Sequence, residues 1–316
     1  MAKERIDLDN AVWLRRQALA DGISDREMGR RVRSGEWHRI RRGAYCSGAL
    51  WASLSPEDRH RLLCRAVLLT AHPCAALSHV SAAIEHGAET WGFDLDVVHV
   101  TRTDGRSGRR EAGVVQHRGR LNEADVVVVN GVRTTQPARS VAETCTIGDV
   151  EAALTVANSL LHTGAVTPEQ FNEQSDATRS WPSSLTTGLV LRLCDSRIES
   201  VAESRALHLF WREHIRRPQP QVEIFDEQGN LVGRVDFAWP DLGVFVEVDG
   251  KAKYLRYRRP GETLEDFLLR EKRREEAICK LTGWVCIRVT WEDLARPRLL
   301  ARRIRSILAS RQRASA

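Results

Sequence analysis

Lysine is scarce in this chain, in which only five of the 48 basic residues are lysine. A lysine supplies a compact charge with a tunable pKa, whereas arginine keeps its proton in proteins. Three of the five, Lys251, Lys253 and Lys272, lie close together in the sequence, and this grouping suggests positions where such chemistry matters. Histidine is absent after His214, which excludes histidine-based metal or nuclease chemistry from the last third of the chain.

Neither a disulfide framework nor a membrane anchor is indicated. The seven cysteines include no CxxC pair and are odd in number, so we expect them to be reduced and mostly buried. No apolar run approaches the roughly 20 residues that a membrane helix needs. The N-terminal stretch MAKERIDLDN also has no apolar signal-peptide segment. We therefore expect a cytoplasmic protein with no membrane partner.

Charge is distributed unevenly along the chain. Residues 1–54 contain 11 basic and 7 acidic residues, residues 55–250 contain 19 and 27, and residues 251–316 contain 18 and 8. Two basic ends therefore flank an acidic middle. This pattern favours contact with a polyanion such as DNA, although a solvated basic helix explains any single run equally well.

Residues 1–54 predict a small DNA-binding domain. A helix is expected near residues 8–20, and Ser24 with Glu27 has the spacing of a capping box that begins a second helix. The following stretch EWHRIRRGAYCSG alternates apolar and basic residues as a β-wing does. A winged helix fits this order. The arginines available to DNA phosphates are Arg26, Arg30, Arg31, Arg33, Arg39, Arg41 and Arg42.

A helical protein-binding module with exposed arginines is the alternative for this segment. The stretch SDREMGRRVRSGEWHRIRRGAY resembles the N-terminal domain of AbiEi-type antitoxins. That resemblance implies DNA binding and regulation, with a toxin or another protein as a partner. TTQPARSVAETC, farther along the chain, is similar to the middle portion of the same antitoxins.

Residues 55–180 predict an α/β middle domain, followed by a polar linker at 181–196. His72, His79 and His86 recur every seven residues, which would place them near one face of an unbroken helix. Pro73 interrupts such a helix, and no carboxylate falls at ligand spacing. We therefore interpret these histidines as structural residues and not as metal ligands.

Residues 197–316 have the clearest order of predicted elements. A helix precedes three strands, QVEIF, LVGRVDFAW and GVFVEVDG, and a second helix, a strand and a closing helix follow. Thr290 and Asp293 form a second capping box. The order αβββαβ is that of a restriction-endonuclease-like core. The whole chain is thus expected to be an α/β multidomain protein with a winged helix, an α/β middle domain and this core.

The third of these strands places charges in a buried element. Because side chains alternate along a strand, Glu247 and Asp249 share one face, and the PDL turn can bring Asp236 beside Glu247. Two neighbouring carboxylates repel each other and need a cation. Oxygen ligands without histidine or cysteine favour Mg²⁺ or Mn²⁺, although the nearby lysines could serve instead. Glu203, on the preceding helix, could face the same site.

This segment resembles the Vsr-like endonucleases of the PD-(D/E)XK group. The resemblance is carried by VAESRA, VGRVDFAWPDLGVFVEVDGKAKY, REKRREE and GWVCIRVTWEDL, and it implies that Glu203, Asp236 and Glu247 form the metal-binding acidic triad. One position departs from the family pattern, because Asp249 stands where the motif has lysine. The role of that lysine passes to Lys251, Lys253 or Lys272, and the lack of histidine removes any reason to infer mismatch repair.

Two functions follow from these patterns. The first is a Mg²⁺- or Mn²⁺-dependent DNA endonuclease that is guided or regulated by the winged helix. The second is a non-catalytic antitoxin or transcriptional regulator whose nuclease domain is degenerate. RNA as the substrate stays open, because phosphate contacts alone do not distinguish RNA from DNA.

Overall fold

The computed structural model describes residues 6–8, 10–106, 110–249 and 261–315. Within these residues the chain has mixed α/β structure, with 13 α-helices and 13 strands arranged in three sheets. It divides into two compact units, Met1–Cys194 and Asp195–Ala316. None of the described helices combines the length and apolarity that crossing a bilayer requires.

The first unit begins with a short three-stranded sheet and three helices. These elements are β1 Trp13–Leu14, α1 Arg15–Ala20, α2 Asp25–Arg33, β2 Trp37–Arg41, β3 Ala44–Ser47 and α3 Gly48–Ser53. The helix predicted over residues 8–20 begins only at Arg15, because Trp13 and Leu14 pair with β3 as strand residues. Ser24 caps α2 as predicted, since its side chain accepts a hydrogen bond from the Glu27 N–H at 3.2 Å.

A small apolar core joins the helix pair to the β2–β3 hairpin. Ala18 of α1, Met28 of α2 and Trp37 of β2 are buried together, and Tyr45 of β3 packs against them. The Trp13 and Trp37 rings meet edge to face at 5.2 Å, a favoured geometry for aromatic pairs. The hairpin is therefore held in a defined position beside α2.

The rest of the first unit is built on a six-stranded sheet with the order β6-β7-β5-β4-β9-β8. Its strands are β4 Ala75–Leu77, β5 Val98–Arg102, β6 Arg110–Glu111, β7 Val114–His117, β8 Val126–Val129 and β9 Val132–Thr135. Its helices are α4 Pro56–Leu68, α5 His79–Glu85, α6 Pro137–Thr144, α7 Val150–His162, α8 Pro168–Ala177 and α9 Ser184–Leu193. Helix α9 occupies most of the segment predicted as a linker.

The second unit has the predicted order of elements. It contains α10 Val201–Arg212, β10 Gln219–Phe225, β11 Leu231–Trp239, β12 Val244–Val248, α11 Leu264–Thr282, β13 Val285–Val289, α12 Trp291–Ala295 and α13 Pro297–Ser315. The sheet order is β10-β11-β12-β13, with antiparallel pairs except for the parallel β12–β13 pair. Thr290 caps α12 in a capping box with Asp293, as predicted.

Helices cover both faces of this four-stranded sheet. On one face, Phe210 of α10 meets the rings of Phe237 at 5.3 Å and Trp239 at 5.7 Å. On the other face, Ile278 of α11 packs with Phe245 in a buried cluster. Any charged side chain between the sheet and these helices is thus shielded from water.

Three histidines meet in the first unit, although not the three that the spacing of seven suggested. His99 Nδ1 lies 2.8 Å from His117 Nε2, and the His79 ring stacks on His117 at 3.5 Å. Burial lowers the pKa of His117 to about 4. Burial and the two neighbouring imidazoles hold the pKa of His79 well below its usual range. Glu143 Oε2 lies 3.9 Å from His79 Nδ1. Burial raises the pKa of the Glu143 carboxyl group despite the nearby Arg139.

We expect the unfolding free energy of this unit to fall as pH decreases from about 7 to about 4. The unfolded chain binds a proton at a histidine near pH 6.5, whereas folded His117 resists protonation until about pH 4. The difference corresponds to at most about 3 kcal/mol at 1.36 kcal/mol per pKa unit. Urea unfolding of wild type and His117→Gln at about pH 7.5 and about pH 5 measures this contribution.

The exposed His162 provides the control as His162→Gln. Glu143 contributes with the opposite sign, because its stability cost appears as pH rises, but it is present in every variant and cancels in the comparison. If His117→Gln lost as much stability on acidification as wild type, the imidazole would not be the cause.

Candidate functional site

The turn between β11 and β12 sets which side chains face each other. Gly243 has a φ of +59°, and a Cβ at this position would lie 2.6 Å from Nη2 of Arg311, so glycine suits both the backbone and the space. The ladder then pairs Phe237 with Val246. Continuing this antiparallel register by one residue brings Asp236 opposite Glu247.

Asp236 and Glu247 are both enclosed, with 7% and 5% of their surfaces exposed. Asp236 Oδ2 accepts a hydrogen bond from the Val248 N–H at 2.7 Å, which ties its carboxyl group to the neighbouring strand. Residues directly opposite in an antiparallel pair point to the same face of the sheet. Two carboxyl groups are therefore placed side by side on the face that α11 covers.

Arg274 of α11 is the cation nearest to this pair among the described residues. Its Nη2 donates to Glu247 Oε1 at 3.2 Å and to Glu271 Oε2 at 2.9 Å. Burial alone would lower the pKa of Arg274. The neighbouring Glu247, Glu271 and Asp236 outweigh this effect, so the pKa of Arg274 lies above the usual value for arginine. Arg274 thus lies among three carboxyl groups, of which Glu271 also pairs with Arg270 at 3.2 Å.

Glu203 lies in the first turn of α10 and is 1% exposed. Its Oε1 accepts a hydrogen bond from Ser200 Oγ at 2.7 Å, and its Oε2 accepts one from the Glu199 N–H at 3.1 Å. These bonds satisfy the start of α10. Gln221 of β10 also donates from Nε2 to Glu203 Oε2 at 2.9 Å. Glu203 therefore bonds both to the residues at the start of α10, where Ser200 is the N-cap, and to the sheet.

Gln221 hydrogen-bonds to Glu203 and lies beside Asp236 in the strand register. The β10–β11 ladder pairs Pro220 with Phe237 and Val222 with Val235, so Gln221 falls at the position beside Asp236. Gln221 has a φ of +54°, a left-handed conformation that costs roughly 1–3 kcal/mol for a residue with a side chain. Such strain is typical of functional sites. Gln221, Asp236 and Glu247 thus occupy neighbouring register positions on three adjacent strands, and Glu203 contacts Gln221 from α10.

The structure also separates some of the predicted ligands. Among the described residues, three potential metal ligands lie within 4.8 Å of one another at His72, Cys74 and Asp104, in the first unit. Among the described residues of the second unit, Glu203, Asp236 and Glu247 do not form such a group. Because Mg²⁺ is usually held by one or two carboxylates with several waters, the pair of Asp236 and Glu247 alone has a suitable donor set.

Asp249 and the lysines have separate surroundings. Asp249 lies 3.3 Å from Nη1 of Arg288, which also pairs with Glu275. Lys251 and Lys253 lie outside the described residues. The side chain of Lys272 is 72% exposed, with its Nζ 3.9 Å from Glu276. In this conformation Lys272 contacts solvent, and the choice among the three lysines stays a prediction.

Arg274 and Gln221 were missed in the sequence. The stretch REKRREE hides Arg274 among similar residues, but Phe267, Glu271, Arg274 and Ile278 have the spacing of one helical face. Phe267 and Ile278 are both buried, so this periodicity was a usable signal. The strained backbone of Gln221 left no comparable pattern, because glutamine has no special preference for a positive φ.

The arginines predicted to bind DNA divide into two groups. Arg30 and Arg31 of α2 pair with Glu27, and together they hold the pKa of that carboxyl group at about 2. Arg31 also lies over the Trp37 ring at 5.1 Å, so it contributes to the packing of the hairpin. The exposed members of the set are Arg26, Arg30, Arg33, Arg39 and Arg42, while Arg31 and Arg41 are half-buried.

Comparison with known proteins gives two distant relatives. The uncharacterized proteins MT2308 and Rv2248, from two strains of Mycobacterium tuberculosis (CDC 1551 / Oshkosh and ATCC 25618 / H37Rv), are each 26% identical to this chain over 259 residues. The match covers 81% of this chain and 88% of each relative. Because neither compact unit is that long, the similarity includes residues of both. No protein-family model matches the chain.

We expect Arg274→Met to lower the unfolding free energy by about 2 to 3 kcal/mol. The substitution keeps most of the apolar volume but leaves buried Glu247 without its cation, which is the costly way to break a buried ion pair. The estimate is at the lower end because the Arg274 side chain is 27% exposed. Urea denaturation measures the change.

Arg273→Met is the matched control, since Arg273 is the exposed neighbour on the same helix. A surface substitution of this kind changes stability by about 0.5 kcal/mol or less. Equal stability of the two variants would show that Arg274 does not balance the acidic pair.

Proposed function

We propose that the second unit is a divalent-metal-dependent nuclease core and that residues 1–54 guide or regulate it on DNA. The observation that carries this proposal is the buried pair of Asp236 and Glu247 on adjacent strands, with Glu203 linked to the same region through Gln221. The order αβββαβ and the resemblance to Vsr-like endonucleases support it. The proposal also includes a cytoplasmic location.

Asp236 and Glu247 are the residues that would hold Mg²⁺ or Mn²⁺, and Glu203 would assist from the start of α10. A bound metal ion of this class polarises a phosphoryl oxygen and lowers the pKa of a bound water. Arg274 holds the Glu247 carboxylate in place through its Nη2. One of Lys251, Lys253 and Lys272 would stabilise negative charge on the phosphate.

The N-terminal helix pair and hairpin are the proposed DNA-binding surface. Helix α2 follows a short turn after α1, and the β2–β3 hairpin comes next, as in a winged helix. Arg26, Arg33, Arg39 and Arg42 are exposed on these elements and available to phosphates. The same contacts would serve an RNA substrate.

A non-catalytic regulator of the AbiEi type is the second candidate. Two observations favour it: Arg274 already offsets part of the acidic charge, and Asp249 replaces the motif lysine. Under this proposal the first unit binds operator DNA and a toxin or other protein, and the acidic site has no reaction to perform.

Cleavage of plasmid DNA with Mg²⁺ or Mn²⁺ tests the nuclease proposal. We expect Asp236→Asn and Glu247→Gln to lower the rate at least about 100-fold, since each removes a charge that acts on the transition state. The divalent ion should also raise the melting temperature of the wild type and not that of these variants.

Glu223→Gln is the control for this experiment, because Glu223 is an exposed carboxylate on β10 of the same sheet. It should cleave like wild type. No cleavage with either metal, or equal cleavage by all variants, would reject the nuclease and favour the regulator.

Substitution of Arg26, Arg33 and Arg42 by alanine tests the DNA-binding surface. Removing one arginine that neutralises a phosphate should reduce the slope of log affinity against log salt concentration by about 0.9. We expect the triple variant to have a slope smaller by about two to three units by this rule, measured by fluorescence anisotropy at several salt concentrations.

Alanine at Arg106, Arg118 and Arg179 provides a control with the same change in net charge, at exposed positions of the first unit outside α2 and the hairpin. If both triple variants changed affinity and slope equally, binding would depend on overall charge and not on this surface.

A further inference from the structure

A second cluster of potential metal ligands lies in the first unit, away from the acidic site in sequence and chemistry. His72 and Cys74 flank Pro73 just before β4, and Asp104 follows the end of β5. Their ligand atoms all lie within 4.8 Å of one another. The cluster unites an imidazole, a thiol and a carboxylate, three different kinds of metal-binding group.

The sheet itself brings these residues together. Strands β4 and β5 are antiparallel, with Ala75 paired to Arg102. The pairing continues past the strand ends, because the Thr103 N–H donates to the Cys74 carbonyl at 3.0 Å. Cys74 and Asp104 therefore leave the same end of the strand pair, and their approach is a consequence of the ladder.

Local hydrogen bonds hold the cluster in shape. The Cys74 N–H donates to His72 Nδ1 at 3.2 Å, which keeps the imidazole beside the thiol. Arg102 Nε donates to Asp104 Oδ1 at 2.9 Å, and the Arg106 N–H donates to the same oxygen at 3.3 Å. These bonds orient Asp104, as outer-shell partners orient metal ligands.

The donor set selects the class of metal. A cysteine sulfur and a histidine nitrogen favour Zn²⁺ and similar transition metals over Mg²⁺ or Ca²⁺, which prefer oxygen ligands. Three protein ligands leave the fourth tetrahedral position to a water or another donor, as in zinc sites with an open position.

We propose that His72, Cys74 and Asp104 bind one Zn²⁺ ion at the end of the β4–β5 strand pair. The site joins the segment before β4 to the turn after β5, so the ion ties the two ends of this strand pair together. It does not depend on the nuclease proposal, because none of its residues belongs to the second unit.

Titration of the chelator-treated full-length protein with Co²⁺ and then Zn²⁺ tests this site. Co²⁺ should produce a thiolate-to-metal charge-transfer band with one ion per chain, and Zn²⁺ should displace it. Cys74→Ser should remove the band, and His72→Gln should weaken Zn²⁺ binding at least about 100-fold, since loss of even an outer-shell partner costs 10- to 100-fold. Circular dichroism verifies that each variant is folded.

Cys194→Ser and His162→Gln are the matched controls in the same unit, and both should bind as wild type does. Asp104→Asn should keep the charge-transfer band and bind Zn²⁺ more weakly, because the sulfur is still present. Absence of one-to-one binding in the wild type, or an undiminished band in Cys74→Ser, would overturn the proposal.

Discussion

Two buried carboxyl groups, Asp236 and Glu247, face one guanidinium in the second unit. Enclosing like charges side by side is unfavourable unless a cation stands close to them. Arg274 supplies that cation from α11, and its own burial is offset by the acids around it. The packing of α11 on the sheet and the charge balance of the site therefore depend on each other. A shift of the helix would separate Arg274 from Glu247.

The first unit also contains a buried ion network, which is centred on Glu85. Glu85 is fully enclosed, but Arg65 approaches it at 3.1 Å and Asn130 donates to it at 2.7 Å. Arg61 lies 3.4 Å from the same carboxylate. Arg61 also pairs with Asp58 at 3.1 Å, so two arginines and two carboxylates face one another in this buried ion network. In the second unit Arg274 contacts Glu247 and Glu271, and Glu271 also pairs with Arg270 at 3.2 Å.

The strained backbone of Gln221 and the hydrogen bonds of Glu203 are found next to these acids in the strand register. Glu203 accepts hydrogen bonds from Ser200, the N-cap residue of α10, and from Gln221. The positive φ of Gln221 persists because strand pairing on both sides of it holds the backbone. The same stretch of sheet thus contains a strained residue and the buried acids.

Local signals determined much of the fold. The capping pairs at Ser24 and Thr290, the strand alternation around Glu247 and the order of elements in the second unit all depend on residues near one another in sequence. Where a distant partner decided the outcome, the prediction was wrong. Residues 13 and 14 became a strand because β3 pairs with them. The stretch at 181–196, predicted as a linker, contains helix α9 and also the boundary between the two compact units.

The sequence by itself thus determined that Glu247 and Asp249 share one parity at the end of β12 and that no histidine follows His214, because both follow from residue type and alternation. Only the tertiary structure selected Arg274 from a run of similar residues, placed Gln221 beside Asp236 and brought Asp104 to His72 and Cys74. The reason is physical: these contacts join residues on different elements, and their distances are set by strand register and helix packing, which no local pattern specifies.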